Sequence, residues 1–345
     1  MSAPTVQEKR IAIPDYSRAK EYAWHASDRN WQQADVVTAG IDVGSTTSQA
    51  VIMTDGEIIA YSTLWDGADD PNSARQALDA ALDGTGMKRN DIHYIVGTGC
   101  GVTNIPMAER SVSEIACHAK GANHGIGSSP RTVLAMGGRD CVVIDCKETG
   151  GVASFLTNAC PPAYCRENLC NACGAAQGRG IEAVAEGLAI PIEEVGAMSL
   201  SVDEEVLVER LSVPFDEREK IRDEMLEEIG AEILAQGGAS PLSGALGVVC
   251  AVLAKTQAAG LLRNGWSKAE ILAAYCAALA HQAALLVKRM GVQEELVITG
   301  GVARNIGVVK RLERELGIKA VVMRPDPQIA AALGAALYAR DLGER

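Results

Sequence analysis

From residue 36 onward the chain is written in short apolar runs punctuated by glycine. VVTAGIDVGSTTSQAVIM holds two β-branched runs around a polar turn, and Asp55-Gly56 separates the second run from a third stretch, EIIAYSTL. Runs of this length with Asp-Gly between them predict antiparallel strands joined as a meander. A helical period follows at about 72–83, then the strand-like IHYIVGTG and a helix at about 111–123. The same order restarts at Thr132, where VLAMGGRDCVVIDCKETGGVASFL reads as two strands around a glycine pair, followed by a glycine-rich turn. Helical stretches are expected at about 179–188, 203–236, 243–263 and 267–290, then the strand ELVITGG, and a closing helix at about 328–341. Two copies of one unit point to a duplicated α/β architecture. The expected organisation is an N-terminal extension over 1–35, a first unit over 36–130 and a second over 131–345, with the last helix packing back on the first unit. Residues 1–35 carry Tyr16, Tyr22, Trp24 and Trp31 without a sustained period and are expected to pack on the remainder. The acidic stretch 202–235 reads as a solvated helical face.

Composition narrows the class. The chain has 345 residues, 48% apolar and 22% charged, with only two Phe, the profile of a globular protein rich in small residues. A net charge of −12 disfavours any general nucleic-acid or anionic-membrane surface, since both need a positive field. The first twenty residues lack the apolar run of a signal peptide, and no segment reads as the roughly 18 apolar residues of a membrane span. The expectation is therefore a cytoplasmic protein with neither nucleic acid nor membrane as partner. In a reducing compartment its ten cysteines are better read as metal ligands or buried small residues than as disulfides.

Three turns carry candidate chemistry. In IDVGSTTSQAVI, Asp42 closes a strand, Gly44 lets the backbone approach a ligand, and Ser45, Thr46 and Thr47 offer hydroxyls and amides suited to phosphate oxygens and hydrated Mg²⁺. Gly137-Gly138-Arg139-Asp140 repeats strand, glycine turn and acid. ITGGVARN at 298–305 ends a strand and opens a helix, with Gly300 and Gly301 placed for an adenosine to slide against backbone and Asn305 beside them. One such turn alone is an ordinary hairpin; three in this order point to a nucleotide cleft.

The remaining feature is NACPPAYCRENLCNACGAAQGRG, which sets Cys160, Cys165, Cys170 and Cys173 in one stretch, C-x₄-C-x₄-C-x₂-C. Four thiolates in one loop can close a tetrahedral Zn²⁺ or an iron–sulfur site, although the spacing is not a standard zinc-finger one. Cys250, in VVCAVLAK, reads by itself as a small buried residue. Cys100, Cys141, Cys146 and Cys276 read the same way, and Cys117 and His118 in SEIACHA read as helix packing.

Strand-Asp-x-Gly-Ser/Thr, a second glycine turn and a late Thr-Gly-Gly together resemble the acetate kinase, sugar kinase, Hsp70 and actin superfamily. GTGCG at 97–101, SEIACHAKGA at 113–122, GGRD at 137–140, CGAAQGRGIEAV at 173–184, VVCAVLAKTQ at 248–257, ITGGVARNIGVVKRLERELG at 298–317 and LGAALYA at 333–339 resemble, more narrowly, the 2-hydroxyacyl-CoA dehydratase activators and the ATPase subunits of benzoyl-CoA reductase. That resemblance covers residues 36 to about 341. It implies two duplicated ribonuclease-H-like domains with ATP and Mg²⁺ in the cleft between them. It further implies a [4Fe–4S] cluster bridging two subunits, as a homodimer or with a related ATPase subunit. Electrons would come from a ferredoxin or flavodoxin and pass to a CoA-thioester reductase or dehydratase. Carried over by motif, the cluster ligands are Cys173 and Cys250, the acids acting at the phosphates are Asp42, Asp140 and Glu114, and the phosphate and adenosine turns are Gly44 to Thr47, Gly137 to Arg139, Gly300, Gly301 and Asn305.

The chain departs from its relatives twice. Cys160, Cys165 and Cys170 have no recognised equivalent; they are accessory to the shared cluster, ligands of an extra metal centre, or a plain cysteine-rich loop. Where the family pattern reads Asp-Ile-Gly-Gly-Gln-Asp, this chain has Ala135-Met136-Gly137-Gly138-Arg139-Asp140, one carboxylate fewer at a site where phosphoryl transfer depends on positioning. Two other readings stay open on sequence alone: a small-molecule kinase of the same fold, and a non-hydrolysing nucleotide-dependent redox sensor or scaffold.

Overall fold

The computed structural model describes residues 22–27, 29–65, 67, 70–126, 132–157, 177–212, 251–292 and 295–343. Its frame is two sheets of one topology. The first is built from β1 (Tyr22–His25), β2 (Val37–Val43), β3 (Ser48–Thr54), β4 (Glu57–Leu64), β5 (Tyr94–Thr98) and β6 (Arg110–Ser111), in the order β1-β4-β3-β2-β5-β6. The second is built from β7 (Thr132–Met136), β8 (Cys141–Cys146), β9 (Val152–Thr157), β10 (Leu296–Thr299) and β11 (Ala320–Val322), in the order β11-β10-β7-β8-β9. In each, a three-strand antiparallel meander is extended by two parallel strands on the side of its first strand. This is the duplication expected from the repeated pattern, in the ribonuclease-H-like order that the family resemblance implies.

Local chemistry accounts for the strands. Asp55 and Gly56 both take positive φ, 49° and 86°, the backbone that a two-residue hairpin between right-twisted strands requires. Every residue of β2 and β3 is buried, which explains why both read as continuous apolar runs rather than alternations. After Thr132 the structure has three strands rather than two: VASFLT becomes β9, with mostly exposed positions and therefore little apolar contrast in sequence. Tyr22–His25, within the stretch that showed no period, pairs antiparallel with β4 as an edge strand, and Trp24 stacks on Tyr61 with ring centroids 5.2 Å apart.

The helices are α1 (Ser73–Leu82), α2 (Glu114–Ile126), α3 (Gln177–Leu188), α4 (Val195–Leu200), α5 (Glu204–Ser212), α6 (Ala251–Arg263), α7 (Lys268–Met290), α8 (Ile306–Leu316) and α9 (Ala330–Gly343). Residues 213–250, including most of the expected 203–236 helix and the start of 243–263, lie outside the described residues. Helix α1 covers one face of the first sheet, and α2 and α9 lie between the two sheets. The contact of α9 is backbone-close: a Cβ on Gly40 of β2 would strike the Ala332 carbonyl, one on Gly121 of α2 the Ala330 carbonyl, and one on Gly334 the Cys117 carbonyl. Small residues there let three backbones meet without side chains between them. Helix α7 corrects one sequence expectation. It is long and apolar enough to cross a membrane, but 78% of its apolar window is buried, and it forms the centre of the second core with Leu134, Val143 and Ile298. A Ser267 and Glu270 capping box starts it, with Ser267 Oγ accepting from Glu270 N at 3.2 Å.

Candidate active site

The three glycine turns converge on one cleft of about 1300 Å³. Lining it are Asp42, Gly44, Ser45, Thr46, Thr47, Glu114, Gly137, Gly138, Arg139, Asp140, Gly300, Gly301 and Asn305. All thirteen residues proposed from sequence as acids or nucleotide contacts are thus brought together.

Each turn is closed by its own backbone. In the first, Gly44 N donates to Thr47 O at 3.0 Å; in the second, Gly137 N donates to Asp140 O at 2.9 Å. In the third, Gly300 takes φ 85° and donates its N–H to Pro327 O at 2.8 Å. The first two turns face each other so closely that a Cβ on Gly138 would strike the Thr46 hydroxyl. Asn305 has a structural task as well as a place in the lining: its Oδ1 accepts from Gly307 N at 2.9 Å and Val308 N at 3.2 Å, capping α8. Arg139 pairs with its neighbour Asp140, Nε to Oδ2 at 3.1 Å.

The electrostatic centre is Asp42. It is 7% exposed, its Oδ1 has no hydrogen-bond partner among the described residues, and Gly99 at φ +90° leaves the space that this oxygen occupies. Burial, reinforced by the charge of Glu114 and partly offset by His118, pushes its carboxyl up to about 7. Glu114 shifts the other way: burial alone would raise it, but His118 and Arg139 outweigh that and hold it below the usual range. A buried, unpartnered carboxyl oxygen beside a second carboxylate is a site that gains from a divalent cation. Glu193, which also lines the cleft, has a buried Oε2 with no hydrogen-bond partner among the described residues.

Sequence reading missed three residues here. His118 lines the cleft instead of serving helix packing alone, and the only signal was its i, i+4 spacing from Glu114. Arg179, in the first turn of α3, donates from Nη2 to Ser45 O at 2.5 Å and from its backbone N to Gly138 O at 2.9 Å, so it joins the first two turns. Gln328 donates to Thr47 Oγ1 at 3.3 Å. Cys100 is a correction: expected to be a buried small residue, it is exposed and lines the cleft, because the strand β5 ends at Thr98. Cys117, Cys141, Cys146 and Cys276 are buried as expected. Cys173, Cys250, Cys160, Cys165 and Cys170 lie outside the described residues.

Two sheets of one strand order about a cleft lined by three glycine turns define an ATPase-type nucleotide-binding fold of the actin and sugar-kinase kind. Residues 39–339 match the model of the BadF/BadG/BcrA/BcrD ATPase family, and the chain belongs to that family. It is 31% identical to the 2-hydroxyisocaproyl-CoA dehydratase activator of Clostridioides difficile, over 88% of this chain and 95% of that one. It is likewise 31% identical to the activator of lactoyl-CoA dehydratase of Anaerotignum propionicum, over 89% and 99%. Among solved structures, the activator of the 2-hydroxyisocaproyl-CoA dehydratase from Clostridium difficile with bound ADPNP superposes with a TM-score of 0.69 at 30% identity, covering 90% of this chain and 96% of that one.

Proposed function

We propose that this ATPase couples MgATP hydrolysis to the delivery of single low-potential electrons, through a [4Fe–4S] cluster shared by two subunits, to an enzyme that reduces or dehydrates a CoA thioester. The observation that carries the nucleotide half is the cleft itself, with Asp42 Oδ1 buried and unpartnered where the three turns meet. The electron half rests on the likeness to dehydratase activators over nearly their whole length.

The assigned roles follow from placement. Asp42, with Asp140 from the opposite turn, holds Mg²⁺; the cation offsets the charge that burial penalises at Asp42. Glu114 orients the attacking water. Ser45 to Thr47 and Gly137 to Arg139 bind the phosphates from the two sides, where amides and a guanidinium meet charge that develops in transfer. Gly300 and Gly301 border the adenosine, with Asn305 keeping the following helix in place. These roles divide between two ATPase halves, 36–130 and 131–345.

For the cluster, the ligands are Cys173 and Cys250, with Cys160, Cys165 and Cys170 as accessory thiols. The helices that follow the two ligands in sequence, α3 and α6, pack side by side and are joined by Lys255 Nζ to Glu186 Oε1 at 2.9 Å. The positive end of a helix dipole favours thiolates and an anionic cluster near the start of each. When bound, the cluster supplies one-electron chemistry at low potential. A second copy or a related ATPase subunit brings the other two thiolates, and a ferredoxin or flavodoxin supplies the electrons.

Cys173→Ser and Cys250→Ser, purified and reconstituted without oxygen, test this reading. Each is expected to lose iron and visible absorbance and to dissociate more readily, while MgATP affinity stays within about threefold of wild type. Unchanged iron content in either variant removes that cysteine from the cluster.

A further inference from the structure

His118 is 6% exposed on α2, one turn beyond Glu114, and the roles assigned above leave it without a task. Its Nδ1 lies 3.1 Å from Thr299 Oγ1, the fully buried hydroxyl at the end of β10 just before the Gly300 turn. Its Nε2 lies 3.7 Å from Glu114 Oε1. The ring therefore stands between the adenosine turn of one sheet and the acid at the head of the helix between the sheets, within reach of both. Its neighbour Cys117 does the packing on that helix, backbone against Gly334 of α9.

In the tautomer that protonates Nε2, the bridge has a direction. A threonine hydroxyl has one proton to give; donated to Nδ1, it leaves the ring's own proton on Nε2, the nitrogen that faces Glu114. Glu114 has need of such a partner, since 45% of its side chain is exposed and a carboxylate left open to the cleft samples several rotamers. We propose that His118 is a positioning residue for ATP hydrolysis: anchored by Thr299, it holds the Glu114 carboxylate in the orientation that directs the attacking water. This rests on the reading of Glu114 given under the proposed function.

The test compares Glu114→Gln, His118→Asn, His118→Gln, Thr299→Val and the double variant Glu114→Gln/His118→Asn by steady-state phosphate release, MgATP affinity and melting temperature. An asparagine amide reaches toward Thr299 but falls short of Glu114, whereas a glutamine amide reaches the position of Nε2. Expected are kcat losses of about tenfold for Glu114→Gln and His118→Asn with KM within about twofold. His118→Gln keeps most of the rate, and the double variant is no slower than Glu114→Gln alone, because the histidine acts through the carboxylate. Wild-type turnover in His118→Asn, a rise in KM at constant kcat, or losses that multiply in the double variant would each overturn the proposal. Should His118→Asn fail to fold, Thr299→Val decides: a kcat loss of about threefold at unchanged melting temperature supports the bridge, and an unchanged kcat refutes it. Wild-type turnover in Glu114→Gln removes both the role of that acid and this inference; a slow Glu114→Gln with a normal His118→Asn removes this inference alone.

Discussion

Asp42 and Ala135 hold equivalent places in the two sheets. Each stands two residues before the glycine that opens its turn, and each is flanked by the meander's second strand on one side, at Gln49 or Val142, and by a threonine of the parallel strand on the other, at Thr98 or Thr299. One is a buried carboxylate with an oxygen that has no partner among the described residues, and the other a methyl group that is 5% exposed. Further out, Tyr61 faces Val51 on the third strand of the first meander, as Phe155 faces Ile144 on the third strand of the second. Tyr61 is 1% exposed beneath Trp24, while Phe155 is 48% exposed. The strand order is repeated, then, but the side chains laid on it are not. The first half and its connecting helix supply Asp42 and Glu114 and close their edge with β1, whereas the second supplies Asp140 already paired with Arg139.

The strongest way to break this asymmetry is to remove the acid that defines it. Asp42→Ala should reduce MgATP turnover by more than about a hundredfold while leaving iron content and the cluster's visible spectrum as in wild type. A normal ATPase rate would put the site elsewhere. The same position gives a prediction of opposite sign for stability: Asp42→Asn removes a charge that burial and Glu114 disfavour, so the nucleotide-free variant should melt about 2–4 °C higher than wild type. A lower melting temperature would mean that the carboxylate has a compensating partner.

The outer strands come next. Tyr61→Ala empties a packed site and should cost about 3–5 kcal/mol in denaturant unfolding, and Phe155→Ala should stay within about 0.5 kcal/mol. Equal losses would show that the surface around Phe155 is covered in the assembled protein.

A smaller effect comes from making the halves more alike. Ala135→Asp restores the carboxylate of the family pattern, and if its absence limits hydrolysis the rate should rise about tenfold, equivalent to roughly 1.4 kcal/mol of barrier. If both turnover and nucleotide affinity fall instead, the new acid repels Asp42 and Glu114, and the site has been rebuilt around the residues already present.

The strands and turns were legible because β2 and β3 are buried on both faces and therefore largely apolar, and because Asp55-Gly56 and the Gly300 turn use backbone that few residues adopt. The two missed strands fail for a shared reason. Tyr22–His25 and Val152–Thr157 lie at sheet edges, where only some positions are covered and the apolar period fades. The thirteen cleft-lining positions could be picked out because twelve belong to or border three contiguous glycine turns, and Glu114 lies in a motif that resembles the family's. His118 and Arg179 could not, since their partners, Thr299 and Ser45, are 181 and 134 positions away, and nothing local distinguishes a bridging histidine from a packed one. Cys100 was misjudged because a short residue after a strand reads as interior until the strand's end is located.

The closing helix α9 also sets a timetable. Gly40 is among the first residues of the first sheet to leave the ribosome, yet the backbone that covers it belongs to Ala332 and Ala336, roughly 290 residues later. At about 5–20 residues per second, that face waits on the order of 15–60 s for its cover. Until then the face of β2 that Ala332 and Ala336 cover has no partner, a surface suited to chaperone capture. The core between the two sheets can therefore close only after that helix has been made.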